Sequence, residues 1–250
     1  PPVWTDPIET RFEEQVEAIL RTRPKVFSFV FGIPEKEILS ECRKAGIVTI
    51  GAATTVEEAL LIEEAGCDML VATGFEAGGH RPSFLHAAED SLVGTLALIP
   101  LIKDRVKIPV IGAGGIGDSR GIKAAFSLGA DAVQLGTAFL ACQESGAGQG
   151  HKDRLLSRPA KSAILSRAFT GRLARYLPNG MIRELEQDKQ AALPFPRQSQ
   201  LTAPIRQKAM ARQDQNSMAL YASQAAPLLT HRTVEELMLS LVTEMNSTAM

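Results

Sequence analysis

Cysteine, tryptophan and tyrosine are scarce, with three Cys, one Trp and two Tyr in 250 residues. Cys42, Cys67 and Cys142 are too few and too scattered for a disulfide framework or a Cys-rich zinc site. They read as buried packing residues. No apolar run approaches the ~20 residues of a membrane span. The opening PPVWTDPIETRFEEQ is too polar and acidic for a secretory leader, so a reducing, cytoplasmic compartment is expected. Charge of one sign is also lacking: 27 Lys+Arg stand against 28 Asp+Glu, which argues against a polyanion as the main partner. What is present, 45% apolar and 22% charged residues, is the balance of a globular α/β protein. The chain starts with Pro and shows no strand pattern before about residue 25, the pattern of a fragment or a processed product.

Helical spacing of Ile8, Phe12, Val16 and Leu20 predicts a helix over 8–22. KVFSFVFG (25–32) reads as a buried strand stopped by Gly-Ile-Pro. A helix over 35–45 closes at Gly46, and IVTIG (47–51) is a second strand. Thr55 and Glu58 have capping-box spacing before a helix ending at Gly66. CDMLVAT (67–73), IPVIGAG (108–114) and ADAVQLG (130–136) are three more strands, with helices near 91–105 and over 119–128 between them. Strands apolar on both faces, alternating with helices, imply a parallel sheet covered on both sides. Five strands are countable, whereas a closed (β/α)8 barrel needs eight. The fold is therefore an open doubly wound sheet or the last five βα units of a barrel. The texture changes near residue 150. Residues 151–213 hold 13 basic and four acidic side chains and read as mostly helical, a solvated basic face that packs over the barrel mouth. A last helix is expected over 232–246. The expected division is thus 1–150 for the βα units and 151–250 for the helical segment.

Two glycine turns leave adjacent strands and enter helices. GAGGIGDS offers Gly114, Gly115 and Gly117; QLGTAF offers Gly136 and Thr137. Converging backbone N–H groups, no Cβ in the way and a positive helix end are what a phosphate needs. The string Gly112 to Gly117 resembles a dinucleotide fingerprint, but the next strand ends Gln134-Leu135-Gly136 with no acid for a ribose, so a Rossmann site is rejected. The loop EAGGHRP (76–82) places His80 at a strand C-terminus, where a neutral imidazole can take a proton or position an anion. Capping by a carbonyl or stacking on Arg81 are the structural alternatives for His80. Gly78 and Gly79 let backbone approach a flat ligand, and Glu76 orients the loop. His80 and His86 lie across Pro82 without helical spacing, so no metal site is expected. His151 and His231 read as isolated and exposed.

Together these motifs resemble the nitronate monooxygenase family. The matching segments are SFVFGIP (28–34), GAATTVEEA (51–59), LVATGFEAGGHRPS (70–83), IPVIGAGGIGDSRGIKAAFSLGADAVQLGTAFLACQES (108–145) and, more loosely, LYASQAAPL (220–228). The resemblance implies an FMN-binding TIM barrel, here as its last five βα units with a C-terminal helical segment. It implies that Thr73, Gly78 and Gly79 lie by the flavin ring, while Gly114, Gly115, Gln134, Leu135, Gly136 and Thr137 hold the ribityl phosphate. His80 would be the active-site histidine. The implied reaction oxidises an alkyl nitronate with O2 to a carbonyl compound and nitrite; its partners are a small nitronate or nitroalkane and O2, with no nucleic acid and no membrane. Thr73 stands where many members have Gln, Pro82 where Gly is common, and Ser223 where Gly precedes Gln224. The family's first strand, with its Ala-Pro-Met segment, has no counterpart, and about the first third of the usual domain is missing. An open arc exposes two sheet edges, so weak FMN binding is expected unless a further segment or partner closes the barrel. The alternatives are a flavin-dependent enoyl-acyl carrier protein reductase, which shares EAGGH, and a truncated non-catalytic fragment.

Overall fold

The computed structural model describes residues 12–157, 163–188 and 192–247. The first four residues of the expected 8–22 helix, and Arg158, Lys161 and Lys189 of the basic segment, lie outside the described residues. The chain order begins α1 (Phe12–Thr22), β1 (Val26–Phe29), α2 (Lys36–Lys44), β2 (Val48–Ala53), α3 (Val56–Glu64), β3 (Met69–Thr73) and β4 (Gly79–His80). It continues with α4 (Thr95–Lys103), β5 (Val110–Ala113), α5 (Ser119–Ser127), β6 (Ala132–Gln134), α6 (Thr137–Leu140) and α7 (Gln149–Leu155). It closes with β7 (Ile164–Ser166), β8 (Ala174–Tyr176), α8 (Gly180–Leu185), α9 (Arg197–Arg212) and α10 (Val234–Asn246).

Strands β1, β2, β3, β5 and β6 form one parallel sheet in that spatial order. Each strand lies beside its predecessor, with no reversal of direction across the sheet. A doubly wound sheet needs such a reversal, and its ligand crevice sits there. The sequential order therefore removes the doubly wound reading. Right-handed crossovers that always step the same way put every helix on one face.

Period-two alternation sorts the side chains accordingly. Ala53, Leu70, Ala72 and Val110 face the helices and pack with Ile62, Leu98, Ile99, Ile102 and Ala125. Ala52, Val71 and Ala113 point the other way and form a small separate cluster with Ile50 and Ile111. The helix starts follow from local chemistry. Asp118 caps α5 by accepting from the N–H groups of Arg120 and Gly121, and Thr233 with Glu236 completes a capping box on α10. At α3 only half of the expected box forms. Thr55 accepts from Glu58 N, but the Glu58 carboxylate accepts from Thr54 N and from Phe84 and Leu85 N. A fully buried carboxylate is better satisfied by several donors than by one cap.

The segment after residue 150 departs from the helical reading. Besides α7, α8, α9 and α10 it contributes β7 and β8, which pair antiparallel with each other and with β4. His80 is thereby in register with Ala174, and Gly79 with Arg175. Three-residue strands carry too short an alternation to be read from sequence.

Candidate active site

Parallel register lines up Thr73, Ala113 and Gln134 as one row across β3, β5 and β6. The row lies at the C-terminal ends of the strands. The turn after β5 adds Gly114, Gly115 and Ile116, and the turn after β6 adds Gly136 and Thr137; all line one cavity of about 300 Å³ together with Gly78, Tyr221 and Ser223. The two glycine turns thus meet at a single concavity. Gly114 (φ +105°) and Gly115 (φ +71°) hold backbone conformations that side chains rarely adopt. A Cβ at Gly136 would meet nothing within 4 Å, so the wall there is bare backbone. The first N–H groups of α6 have no carbonyl partner within their helix.

Two expected residues sit elsewhere. Leu135 follows Gln134 on the strand, so its side chain turns to the opposite face and packs in the main core. Gly79 lies in β4 beside the cavity wall (φ +82°), with nothing within 4 Å of an added Cβ. Gly78 needs its lack of a side chain before any ligand is considered: an added Cβ would lie 2.6 Å from Ser223 N and 2.7 Å from Ala222 C. Close backbone approach here is between two protein segments.

His80 stands one ring back from the cavity. Its imidazole is 5.7 Å, centroid to centroid, from Tyr221, which lines the cavity. Phe31 at 6.1 Å and Phe195 at 6.5 Å complete an aromatic surround. Nε2 lies 2.9 Å from Thr170 Oγ1. Among the described residues the ring neither stacks on Arg81 nor is capped by a carbonyl. Burial, together with the nearby Arg172 and Arg206 cations, holds the His80 pKa below its ordinary value. The imidazole is therefore neutral at physiological pH and able to accept a proton.

Arg81 points to the opposite side, as the next residue of an extended segment must. Its fully buried guanidinium donates to the carbonyls of Thr73, Gly74 and Ser91. Burial, with the Arg175 charge nearby, lowers its pKa to about 10. Arg175, 2% exposed, donates to Phe75 O and Ala163 O, and Arg172 donates to Arg81 O and Ser83 O. The basic segment therefore reaches into the loop that carries His80. Glu76 also orients that loop, accepting from Thr95 N and Oγ1 at 2.8 Å. Gln224 N in turn donates to Glu76 O, and Ser223 N to Thr137 Oγ1.

Sequence reasoning misplaced His151. It is buried, and its Nε2 meets Tyr221 O at 2.8 Å; His231 is partly buried. Burial lowers the His151 pKa, and its bond to Tyr221 opposes this in part. The unfolded chain then binds protons that the folded chain refuses. Between the lowered folded value and the ordinary 6.5, stability rises with pH. The melting temperature is expected to climb from about pH 5 to about pH 7, and His151→Gln should flatten part of that slope in a calorimetric pH series. Thr170 and Tyr221 were also missed as site residues; Thr170 carries no sequence signal, whereas Tyr221 lies in the loosely matching LYASQAAPL. Among the described residues no group of three or more His, Cys, Asp or Glu could hold a metal. The three cysteines are buried and free, and no described helix is long and apolar enough to cross a membrane.

The nitronate monooxygenase family model matches residues 5–244. A probable nitronate monooxygenase of Bacillus subtilis (strain 168) is 43% identical over 242 residues, covering 96% of this chain and 68% of that protein. One from Staphylococcus haemolyticus (strain JCSC1435) is 41% identical over 241 residues, covering 96% and 68%. Among solved structures, nitroalkane oxidase from Streptomyces ansochromogenes superposes with a TM-score of 0.88 at 39% identity, covering 94% of this chain and 67% of that one. FabK from Thermotoga maritima gives 0.81 at 26%, covering 96% and 73%. The chain thus spans about two thirds of the length of the curated relatives it matches.

Proposed function

The chain belongs to the nitronate monooxygenase family of oxidoreductases, and from that premise we propose that it binds FMN and oxidises alkyl nitronates with O2 to a carbonyl compound and nitrite. The observation that supports this best is the meeting of the row Thr73–Ala113–Gln134 with both glycine turns at one cavity, His80 lying one ring away. Its volume is at the low end of the ~300–1,000 Å³ typical of small-molecule sites. The residues fit the cofactor. Gly114, Gly115, Gly136 and Thr137 would hold its phosphate through backbone N–H groups, with Gln134 beside them, and Thr73 and Gly78 would flank its ring. When bound, the flavin supplies the electron transfer from nitronate to O2. The protein positions the nitro compound between the aromatic surround and the cavity, and His80 accepts the carbon-bound proton of a neutral nitroalkane.

The five-stranded arc corresponds, in this proposal, to the last five βα units of a TIM barrel. Its phosphate turns follow the last two strands, where barrels place such groups. Soluble, cytoplasmic operation accords with small, diffusible reactants.

Gly136→Asp gives a direct test. Gly136 has φ −105°, and an added Cβ meets nothing, so the fold should be retained. The introduced carboxylate would repel a phosphate at close range. Flavin affinity, read by fluorescence quenching, is expected to fall at least ~tenfold, with the melting temperature of the flavin-free protein unchanged. Equal affinity would remove the phosphate assignment. A flavin-dependent enoyl-acyl carrier protein reductase is the second reading, favoured by the EAGGH string (76–80). NADH consumption with an enoyl thioester, and no oxygen uptake with propyl nitronate, would select it.

A further inference from the structure

Thr170 carries a single hydroxyl proton and two lone pairs, and three groups make hydrogen bonds with its Oγ1, while the buried Tyr176 hydroxyl lies near it without meeting hydrogen-bond geometry. Arg172 N donates to it at 3.3 Å, and it donates to Arg172 O at 3.2 Å. His80 Nε2 sits at 2.9 Å. The pair of contacts to residue 172 is a side-chain-stabilised turn, which occupies the proton and one lone pair. Only one arrangement satisfies all three contacts: the second lone pair accepts from a protonated Nε2. Were Thr170 to donate to Nε2 instead, Arg172 O would lose that donor. Among the described residues Nδ1 of His80 has no hydrogen-bond partner.

We infer that Thr170 is a positioning residue that fixes His80 as the Nε2–H tautomer, so that Nδ1 is the atom that accepts the substrate proton. The inference rests on the reading of His80 as the base of a nitroalkane-oxidising site. In the step itself the C–H bond alpha to the nitro group breaks. Its electron pair delocalises onto the nitro oxygens to give the nitronate, and the proton goes to Nδ1. The resulting imidazolium keeps its Nε2–H on Thr170, so no hydrogen bond at that nitrogen is remade. The other groups around the ring are Phe31, two residues past β1, Phe195 from the turn before α9, and Tyr221. Arg172 and Arg206 are the charges close to it. Of the three aromatic neighbours only Tyr221 carries a hydroxyl, and among the described residues it makes no hydrogen bond to the ring.

The tautomer can be read without turnover. With 15N-histidine incorporated, the His80 signals are assigned by their loss in His80→Gln, since the chain has four His. At a pH where the ring is neutral, the expected spectrum has a protonated Nε2 and an unprotonated Nδ1. Thr170→Val should yield mixed tautomers, and Thr170→Ser should restore the single one. In flavin-reconstituted protein, Thr170→Val is expected to lower kcat with a nitroalkane about five- to tenfold, the worth of one neutral hydrogen bond, with KM little changed and with rescue by serine. A wild-type spectrum with the proton on Nδ1, or Thr170→Val leaving the tautomer pure, would overturn the inference. A correct tautomer in a protein inert towards every nitro compound would instead overturn the functional reading.

Discussion

His80→Ala is expected to slow oxygen uptake with a neutral nitroalkane by roughly 10²–10⁴-fold, the usual worth of a positioned general base. The effect with a preformed nitronate should be much smaller, because that substrate arrives already deprotonated. This split between two substrates is the informative outcome. Loss of folding would depress both alike, and loss of flavin would show in the absorbance of the purified variant. The acid limb of kcat/KM for the nitroalkane should lie below the ordinary imidazole value of 6.5, since burial first, and then Arg172 and Arg206, disfavour the imidazolium. If the alanine variant oxidises nitroalkanes at the parent rate, His80 is not the base.

The second large effect is on stability. Arg81→Met is expected to destabilise the fold by about 3–5 kcal/mol, the range for breaking a buried charged network. The side chain is fully buried, and its guanidinium serves three carbonyls at the end of β3 and across the loop to Ser91. Methionine fills much of the volume but takes the guanidinium donor away from Thr73 O and Ser91 O in a dry interior, while Gly74 O keeps Ala77 N. At pH 7 a guanidinium with pKa near 10 is still cationic, so the Arg81 charge remains available to them. Chemical denaturation with an unchanged m-value would report this loss. A change under ~1 kcal/mol would mean that water replaces the guanidinium. Because Arg81 fixes Thr73 and Gly74, the variant should also lose flavin affinity, which separates it from His80→Ala.

These two neighbours show what the sequence could disclose. The βα order, the two glycine turns and the His80 loop were readable because strands of four to six residues and positive-φ glycines leave local signatures. Their convergence required knowing the strand order, and the regular alternation of parallel strands with helices suggested it. The division of labour between His80 and Arg81 was not readable. It depends on which side of a two-residue strand faces the cavity, and β4 exists only because β8 pairs with it. Arg175 is one of 13 basic residues in a segment that the sequence presents as a solvated face packing over the barrel mouth. It is instead 2% exposed and donates to Phe75 O. Local charge density does not report burial when partners are backbone carbonyls rather than carboxylates. Leu135 failed for a simpler reason: alternation along β6 sends it to the opposite face from Gln134.

The antiparallel pairing of β4 with β8 has a consequence for how the protein matures. The loop around position 80 is held by backbone contacts to residues 173–175 and 222–224, far along the chain. On the ribosome, the parallel arc can form progressively as each βα unit emerges, but the imidazole has no fixed place until the last of those contacts has left the exit tunnel. Long-range pairing of this kind closes slowly. Chemical competence therefore arrives only after residues 222–224 have been made and have emerged.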